Sequence, residues 1–181
     1  MKITTLSLLS LPFLAACAST APTVAVEPAA LPAAVRVPAG NRPALLLKGS
    51  GDMVWICDFK GPQTDNKYEW ALQRPDAKLL DRDGKQVGRV FGKPTEFDYW
   101  AGSTVIGTPV ATAPAGDGNL PLELMKAEPA GGTHDALRGT TFIQRVATKG
   151  GASPSQDCGW MTHRQTRNVK FEADYIFYKA G

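Results

Sequence analysis

Residues 169–178 read VKFEADYIFY, and this stretch decides the fold class. Every second side chain from Val169 to Phe177 is apolar, whereas the side chains between them are charged or polar, with Ile176 as the exception. Such alternation predicts a strand with one buried and one wet face, which is typical of antiparallel sheets. We therefore expect the chain to end in a strand of an antiparallel sheet.

Toward the N-terminus, further short alternations are separated by turn residues. They cover Met53–Asp58, Tyr68–Leu72, Gln86–Phe91, Ser103–Gly107, Leu120–Ala127 and Thr140–Thr148. No long segment shows the 3.6-residue period of a helix. The pattern predicts an all-β domain, either an antiparallel β-sandwich or a flattened β-barrel of about 8–10 short strands. Residues 108–118, which carry little apolar bulk, are predicted to form a loop.

The N-terminus has the pattern of an export signal. Lys2 precedes an uncharged apolar run, residues 3–16, which at about 1.5 Å per residue is too short to cross a hydrocarbon core of about 30 Å. The run ends in Leu14-Ala15-Ala16-Cys17, which resembles the bacterial lipobox. The resemblance implies cleavage before Cys17, acyl chains on Cys17 and a place in the bacterial cell envelope, with Ala18 favouring the outer membrane facing the periplasm. The alternative is an ordinary signal peptide, in which Cys17 is incidental.

Composition and charge divide the chain into three segments. Residues 1–16 are predicted to be a lipoprotein signal peptide, residues 17–34 the lipidated cysteine and an Ala/Pro-rich tether, and residues 35–181 a single β-domain. The alternative for the tether is a strand docked on the domain. A formal net charge of +3 with no basic stripe argues against nucleic acid as a partner. The predicted partner is the membrane, through the N-terminal lipid anchor.

Two cysteines remain once Cys17 carries lipid. Cys57 and Cys158 are predicted to form a disulfide, because an exported domain folds in an oxidising compartment. This bond would join an early strand to the Ser153–Gly159 region, and its reduction would lower the melting temperature by several degrees. A reactive thiol or a metal ligand is the alternative, but no His or Cys lies at ligand spacing. We therefore predict no metal and no cofactor.

Few side chains suggest chemistry, and no catalytic constellation is predicted. Glu96 and Asp98 are two residues apart on one strand face, and form either a carboxylate pair for sugar hydrolysis or an exposed polar face. Together with His163, they are the residues that an envelope hydrolase or carbohydrate-active enzyme would use. No serine lies in a GxSxG motif.

Four residues are candidates for ligand binding. Trp70 and Trp100 are core or rim aromatics, or a stacking platform for a sugar. The amide of Gln144 needs partners if its face is buried, and it either bridges backbone groups or lines a pocket. Arg145 lies on the opposite face, where it forms an ion pair with Asp174 or Glu172 if its strand is a neighbour of the last strand, or binds an anion.

A series of short motifs runs through the predicted domain. These are Val37–Asn41, Pro75–Leu79, Gly92–Thr95, Gly139–Val146 and Ala173–Tyr178. Their order resembles the domain of unknown function 3455 family, and the resemblance implies an exported single domain with no established activity. The chain departs from that family after Thr95, where Glu96 stands in place of the usual Trp. The function that we expect is a non-catalytic binding or structural module of the envelope, with an unknown small-molecule, glycan or protein partner and an unknown oligomeric state.

Overall fold

The computed structural model describes residues 30–132 and 136–181. The predicted signal peptide, Cys17 and most of the predicted tether lie outside these residues. Eight strands make up most of the described chain. They are β1 Asn41–Phe59, β2 Tyr68–Leu80, β3 Gln86–Phe91, β4 Thr95–Tyr99, β5 Ser103–Ala113, β6 Leu122–Gly132, β7 Thr140–Gly150 and β8 Thr166–Ala180.

The eight strands form one closed antiparallel barrel. Each strand pairs with the next along the chain, and β8 returns to pair with β1. The predicted all-β antiparallel fold is confirmed, and the barrel is the form that it takes. Along the residues that the structure describes, we find no helix with the length and apolar character to span a membrane.

Because neighbouring strands run in opposite directions, the connections alternate between the two ends of the barrel. The loops after β1, β3, β5 and β7 lie at one end, which we call the hairpin end; these loops cover residues 60–67, 92–94, 114–121 and 151–165. The other connections lie at the opposite end, together with the start of β1 and the finish of β8. We call this the terminal end.

The barrel interior is filled with large side chains. Phe97, Tyr175 and Phe177 are at most 1% exposed, and the Phe97 ring meets the other two edge-on, with centroids 5.1 and 5.4 Å away. Aromatic pairs prefer this edge-to-face arrangement. The inward residues of β8 are those that the alternation in 169–178 predicts.

Two glycines let β1 approach the interior closely. At Gly51, an added Cβ would lie 2.5 Å from the Ala77 Cα and from the Asp76 carbonyl oxygen of β2. At Gly49, an added Cβ would overlap the Tyr175 ring. The absence of side chains at these positions therefore brings β1 against the backbone of β2 and makes room for Tyr175.

A second apolar cluster lies on the outside of the barrel, beneath the segment that precedes β1. Leu31 and Val35 are 6% and 0% exposed. They pack with buried side chains of β5, β6, β7 and β8, which are Ala113, Leu124, Val146, Ile176 and Tyr178. This contact explains the apolar Ile176 on an otherwise wet face of β8. The packed structure therefore includes Leu31, which the sequence places in the tether.

The loop predicted over residues 108–118 is wrong in its first half. Thr108 to Ala113 continue β5 and pair with Leu122 to Lys126 of β6. The register shifts between Pro109 and Ala111, and a proline, which has no N–H to donate, is tolerated at such a bulge. Hairpin pairing with β6 thus extends a strand that local composition does not favour.

The predicted disulfide is confirmed. Cys57 and Cys158 are joined with an S–S distance of 2.03 Å and a Cα–Cα distance of 5.5 Å. The bond links the end of β1 to the 151–165 loop. Backbone hydrogen bonds from Cys57 to Gln165 and from Arg164 to Cys57, 2.9 and 2.8 Å long, hold the same loop.

Candidate functional site

The four predicted ligand-binding residues lie in different parts of the barrel. Trp70 is at the hairpin end, where its indole N–H donates to the Gln156 carbonyl at 2.8 Å and so holds the 151–165 loop. Trp100 is 57% exposed in the β4–β5 turn at the terminal end. Gln144 and Arg145 point to opposite faces of β7. The structure does not bring these four side chains into one site.

Gln144 is a buried link between the barrel and the N-terminal segment. Its Nε2 donates to the Val35 carbonyl at 2.6 Å, and the Tyr178 hydroxyl donates to its Oε1 at 3.0 Å. The amide therefore bridges to a backbone group, and that group belongs to the segment preceding β1. Both polar atoms of the amide are satisfied without a ligand.

The two acidic candidates lie on the outer face of β4, on either side of the inward Phe97. Asp98 accepts hydrogen bonds from Arg89 Nε at 3.3 Å and from the Thr104 hydroxyl at 3.4 Å. Its partners are residues of the neighbouring strands. Glu96 and Asp98 therefore form part of a polar outer surface.

His163 belongs to an aromatic cluster near the tip of the β1–β2 hairpin. Its Nε2 is 3.2 Å from Asp58 Oδ1, and its ring lies 4.6 Å from Phe59 and 5.6 Å from Tyr68. The pKa of Asp58 is lowered, mainly by the hydrogen bond that its carboxylate accepts from the Phe59 N–H and next by its hydrogen bond with His163. Within the described residues, no hydrogen bond or ion pair joins His163 to Glu96 or Asp98.

The residues that do converge surround a cavity of about 230 Å³ at the hairpin end. Its wall includes the apolar side chains of Met53, Leu72, Pro75, Pro94, Pro109 and Met125. Its polar residues include Glu123 of β6, Arg145 of β7 and Tyr175 of β8. An eight-stranded barrel is just wide enough to be filled by side chains or to hold one small ligand, so this space is a natural place for a binding site.

Arg145 and Glu123 form a buried ion pair in this wall. Arg145 Nη1 lies 3.0 Å from Glu123 Oε2, and the two side chains are 8% and 14% exposed. Arg145 Nε and Nη2 also donate to the Pro121 carbonyl, at 3.2 and 3.1 Å. The guanidinium is thus held by the backbone on one side and by a carboxylate on the other.

The predicted partners of Arg145 were wrong. Arg145 lies opposite Tyr175 in β8 and opposite Glu123 in β6. Asp174 and Glu172 belong to the alternate set of side chains of β8, and Glu172 pairs with Lys48 at 2.9 Å. Strands β7 and β8 are neighbours, but their register places Arg145 inside the barrel and those carboxylates outside.

Burial changes the acid–base properties of the cluster. It raises the pKa of Glu123, against the opposing charge of Arg145. Burial also raises the pKa of Tyr175 to about 12, again opposed by Arg145. Replacing a buried ion pair with apolar residues is often neutral or stabilising, so the pair is weak evidence of a stabilising role. Buried charges with shifted pKa values beside a cavity mark a candidate functional site.

Two more cations line the same cavity. Arg74 pairs with Asp76 at 3.0 Å, whereas Lys93 has no hydrogen bond or ion pair within residues 30–132 and 136–181. Leu72 is 36% exposed beside them. The cavity therefore combines an apolar wall with an excess of positive charge.

A larger depression, about 860 Å³, crosses β1, β2, β3, β7 and β8. Two of its charged side chains, Lys170 and Asp52, form an ion pair at 2.8 Å, and Lys170 is 84% exposed. Exposed pairs of this kind are weak and solvated. We therefore take the smaller, more enclosed cavity as the candidate site. No group of three or more His, Cys, Asp or Glu side chains suited to a metal occurs in the part of the chain that the structure describes.

Glu123 is not among the predicted site residues, although its sequence position carries a signal. Glu123, Met125 and Ala127 are two residues apart in a predicted strand and therefore share one face. If Met125 and Ala127 are buried on that face, Glu123 is buried with them. A charged residue on the apolar face of a strand is the feature that could have found it. Its pairing with Arg145 depends on the register between β6 and β7.

Comparison with known proteins adds a family but no activity. Residues 38–179 match a family described as protein of unknown function (DUF3455). No curated protein and no solved structure matches the chain.

Proposed function

This chain belongs to the DUF3455 family, and we propose that it is an exported, lipid-anchored binding module of the bacterial cell envelope that holds a small molecule in the cavity at the hairpin end. The observation that carries the proposal is the buried pair of Arg145 and Glu123 beside an apolar space. Binding sites typically combine an apolar wall with a few convergent polar groups. At about 230 Å³, the space suits a ligand smaller than the drug-sized molecules that fill about 300–1,000 Å³.

The envelope location is supported by the N-terminal sequence and by the disulfide. The apolar run before Leu14-Ala15-Ala16-Cys17 supports export and lipidation, with the domain at the outer membrane facing the periplasm. A structural disulfide is typical of oxidising compartments and rare in the cytosol. Stable anchoring requires more than one acyl chain, which a lipidated N-terminal cysteine provides.

The anchor has a direct test in a bacterial host that carries lipoprotein-processing enzymes. We expect metabolic labelling with a palmitate analogue to mark the parent chain and to leave Cys17→Ser unmarked. Cys158→Ser is the matched control, because it removes a thiol outside the lipobox and keeps the label. An unlabelled parent chain that retains its initiator methionine would show that the anchor is wrong.

The hydrolase alternative has no site in the described structure. It requires two of Glu96, Asp98 and His163 to meet in a pocket. The two carboxylates lie on the outer face of β4, and His163 pairs with Asp58 near the hairpin tip. We therefore do not propose hydrolysis by these residues.

Three methionines outside the signal peptide allow the cavity to be tested by NMR. Met53 and Met125 line it, whereas Met161 is 74% exposed on the 151–165 loop. With methyl-labelled methionine, we expect members of a small-fragment library to shift the Met53 and Met125 signals in a saturable way and to leave Met161 unchanged. If no fragment moves the two cavity methyl groups, the cavity is not a binding site.

A blocking variant gives the same test a matched control. Leu72→Trp places a larger side chain at the cavity and is expected to weaken fragment binding at least tenfold. Val110→Trp enlarges a residue that is 54% exposed on β5 and does not line the cavity, so binding is expected to stay at the parent level. Equal binding by both variants would place the fragments elsewhere.

A further inference from the structure

We infer that the ligand of this cavity is a small organic anion, which takes Arg145 as its partner and leaves Glu123 with a proton from solvent. The inference deepens the proposed function and rests on it, since it names the ligand class of the same cavity. It is argued from the charges around the cavity, from the geometry of Arg145 and from the finding that Glu123 has no second ion-pair partner among the described residues.

The charges favour an anion over a cation. Arg74, Lys93 and Arg145 contribute positive charge to the lining, and Glu123 is the one acidic residue among the lining residues. Asp76 compensates Arg74 from outside this lining, at 3.0 Å. An excess of one sign of charge in a cleft raises the local concentration of the opposite ion.

Arg145 is prepared to exchange one partner while keeping another. Its Nε and Nη2 donate to the Pro121 carbonyl, whereas Nη1 lies 3.0 Å from Glu123 Oε2. The two backbone-directed bonds keep the guanidinium plane in place when the carboxylate moves. A planar guanidinium fits a second carboxylate well, which makes Arg the suitable residue for recognising one.

One guanidinium cannot balance two buried carboxylates. Burial disfavours the charged form of Glu123, and Arg145 is the influence that opposes it. When an incoming carboxylate forms the ion pair with Arg145, Glu123 loses that partner and binds a proton. The exchange forms one ion pair, breaks another and takes up one proton, so the charge of the cavity is unchanged.

The other groups that face Glu123 do not replace it as the proton acceptor. The Tyr175 hydroxyl, from β8, has a pKa raised to about 12 and stays protonated near neutral pH. Arg145 on β7 and Arg74 on β2 are permanent cations, and Lys93 in the β3–β4 turn is also a cation. Strand β5 contributes Gly107, Thr108 and Pro109 to the lining, none of which titrates.

The apolar wall defines the rest of the ligand. Met53, Leu72 and Met125 present thioether and aliphatic groups beside the ion pair. Methionine adapts to irregular shapes and contacts aromatic rings favourably. The ligand therefore has a compact apolar body and one carboxylate, and benzoate is a suitable probe.

The experiment compares benzoate with benzamide and benzylamine by calorimetric titration of the domain. We expect benzoate to bind at least tenfold more tightly than the neutral and cationic probes. Titrations in phosphate and Tris buffers should show uptake of about one proton per benzoate. Where Glu123 is ionised in the free protein, the affinity should fall about tenfold per pH unit as the pH rises.

Glu123→Gln tests whether Glu123 takes up the proton, independently of the preference of the cavity for an anion. This variant keeps Arg145 and removes the competing carboxylate, so benzoate is expected to bind at least as tightly, without proton uptake and without the pH dependence. Glu128→Gln, a change of an exposed residue on the same strand β6, is expected to behave like the parent.

The outcomes distinguish this inference from the proposed function. If benzamide or benzylamine binds the cavity more tightly than benzoate, the inference that the ligand is an anion is wrong, and the cavity remains a binding site. Benzoate binding without proton uptake, or a pH dependence that survives in Glu123→Gln, overturns the exchange. If neither these probes nor the fragment library moves the methyl signals of Met53 and Met125, the proposed function itself fails.

Discussion

Replacing both cysteines of the disulfide, in Cys57→Ser/Cys158→Ser, is expected to lower the free energy of unfolding by about 3–5 kcal/mol. The bond closes a loop with a sequence separation of 101 residues, and a crosslink of this length restricts the unfolded chain strongly. In the chain-entropy model, a 100-residue loop corresponds to about 4.7 kcal/mol, which serves as an upper estimate. The melting temperature should fall by about 10 °C for a domain of this size.

Thermal and denaturant unfolding measure this effect, in a chain that begins after Cys17. The reducing agent must be tested on both proteins: it should destabilise the parent by the same amount and leave the double variant unchanged. The 151–165 loop keeps other contacts, including the Trp70 bond to Gln156, so the native fold is expected to persist. A loss below about 1 kcal/mol would mean that the crosslink scarcely restricts the unfolded chain.

The second large effect concerns Gly51 in the centre of β1. We expect Gly51→Ala to destabilise the barrel by more than about 3 kcal/mol, the upper end for overpacking. The added methyl group would lie 2.5 Å from the Ala77 Cα and the Asp76 carbonyl oxygen, and both atoms belong to the backbone of the paired strand β2. No flexible side chain can move to relieve this contact.

Gly159→Ala is the matched control for that substitution. An added Cβ at Gly159 meets nothing within 4 Å, and its φ of −158° is extended backbone that alanine adopts readily. We expect a change within about 0.5 kcal/mol. Where the backbone allows it, replacing glycine by alanine stabilises the folded protein by about 0.4–1 kcal/mol, because the unfolded chain loses conformational freedom. The steric clash is therefore what makes Gly51→Ala destabilising. A Gly51→Ala variant that unfolds at the parent temperature would contradict the close β1–β2 approach.

Local patterns predicted much of the fold because they report which face of a strand is buried. The alternation of residues 169–178 placed Phe171, Tyr175 and Phe177 in the interior, as the structure shows. It left Ile176 unexplained, because the partner of that side chain is the N-terminal segment, far away in sequence. The extension of β5 through Pro109 was missed for a different reason, since it depends on hairpin pairing with β6 and not on the composition of residues 108–113.

The candidate site was predictable only in part. Arg145 and Tyr175 were both singled out, Arg145 as a candidate ion-pair or anion-binding residue and Tyr175 as a buried face residue of the last strand. The burial of Glu123 could have been predicted because it shares a strand face with Met125, yet nothing in the local sequence indicates that it meets Arg145. That pairing depends on the register between two strands, and a shift of one residue would send either side chain to the other face.

The amino-acid sequence alone determined the strand-rich composition, the family and the pairing of Cys57 with Cys158. These features depend on the alternation of neighbouring residues, on the order of motifs along the chain and on the number of available thiols. Tertiary structure alone decided that the sheet closes, that Leu31 and Val35 cover its outer face, and that Arg145 meets Glu123 beside a cavity. Closure and register arise from contacts between residues that are distant along the chain, and the cavity is the space that remains inside the closed sheet once its side chains are packed.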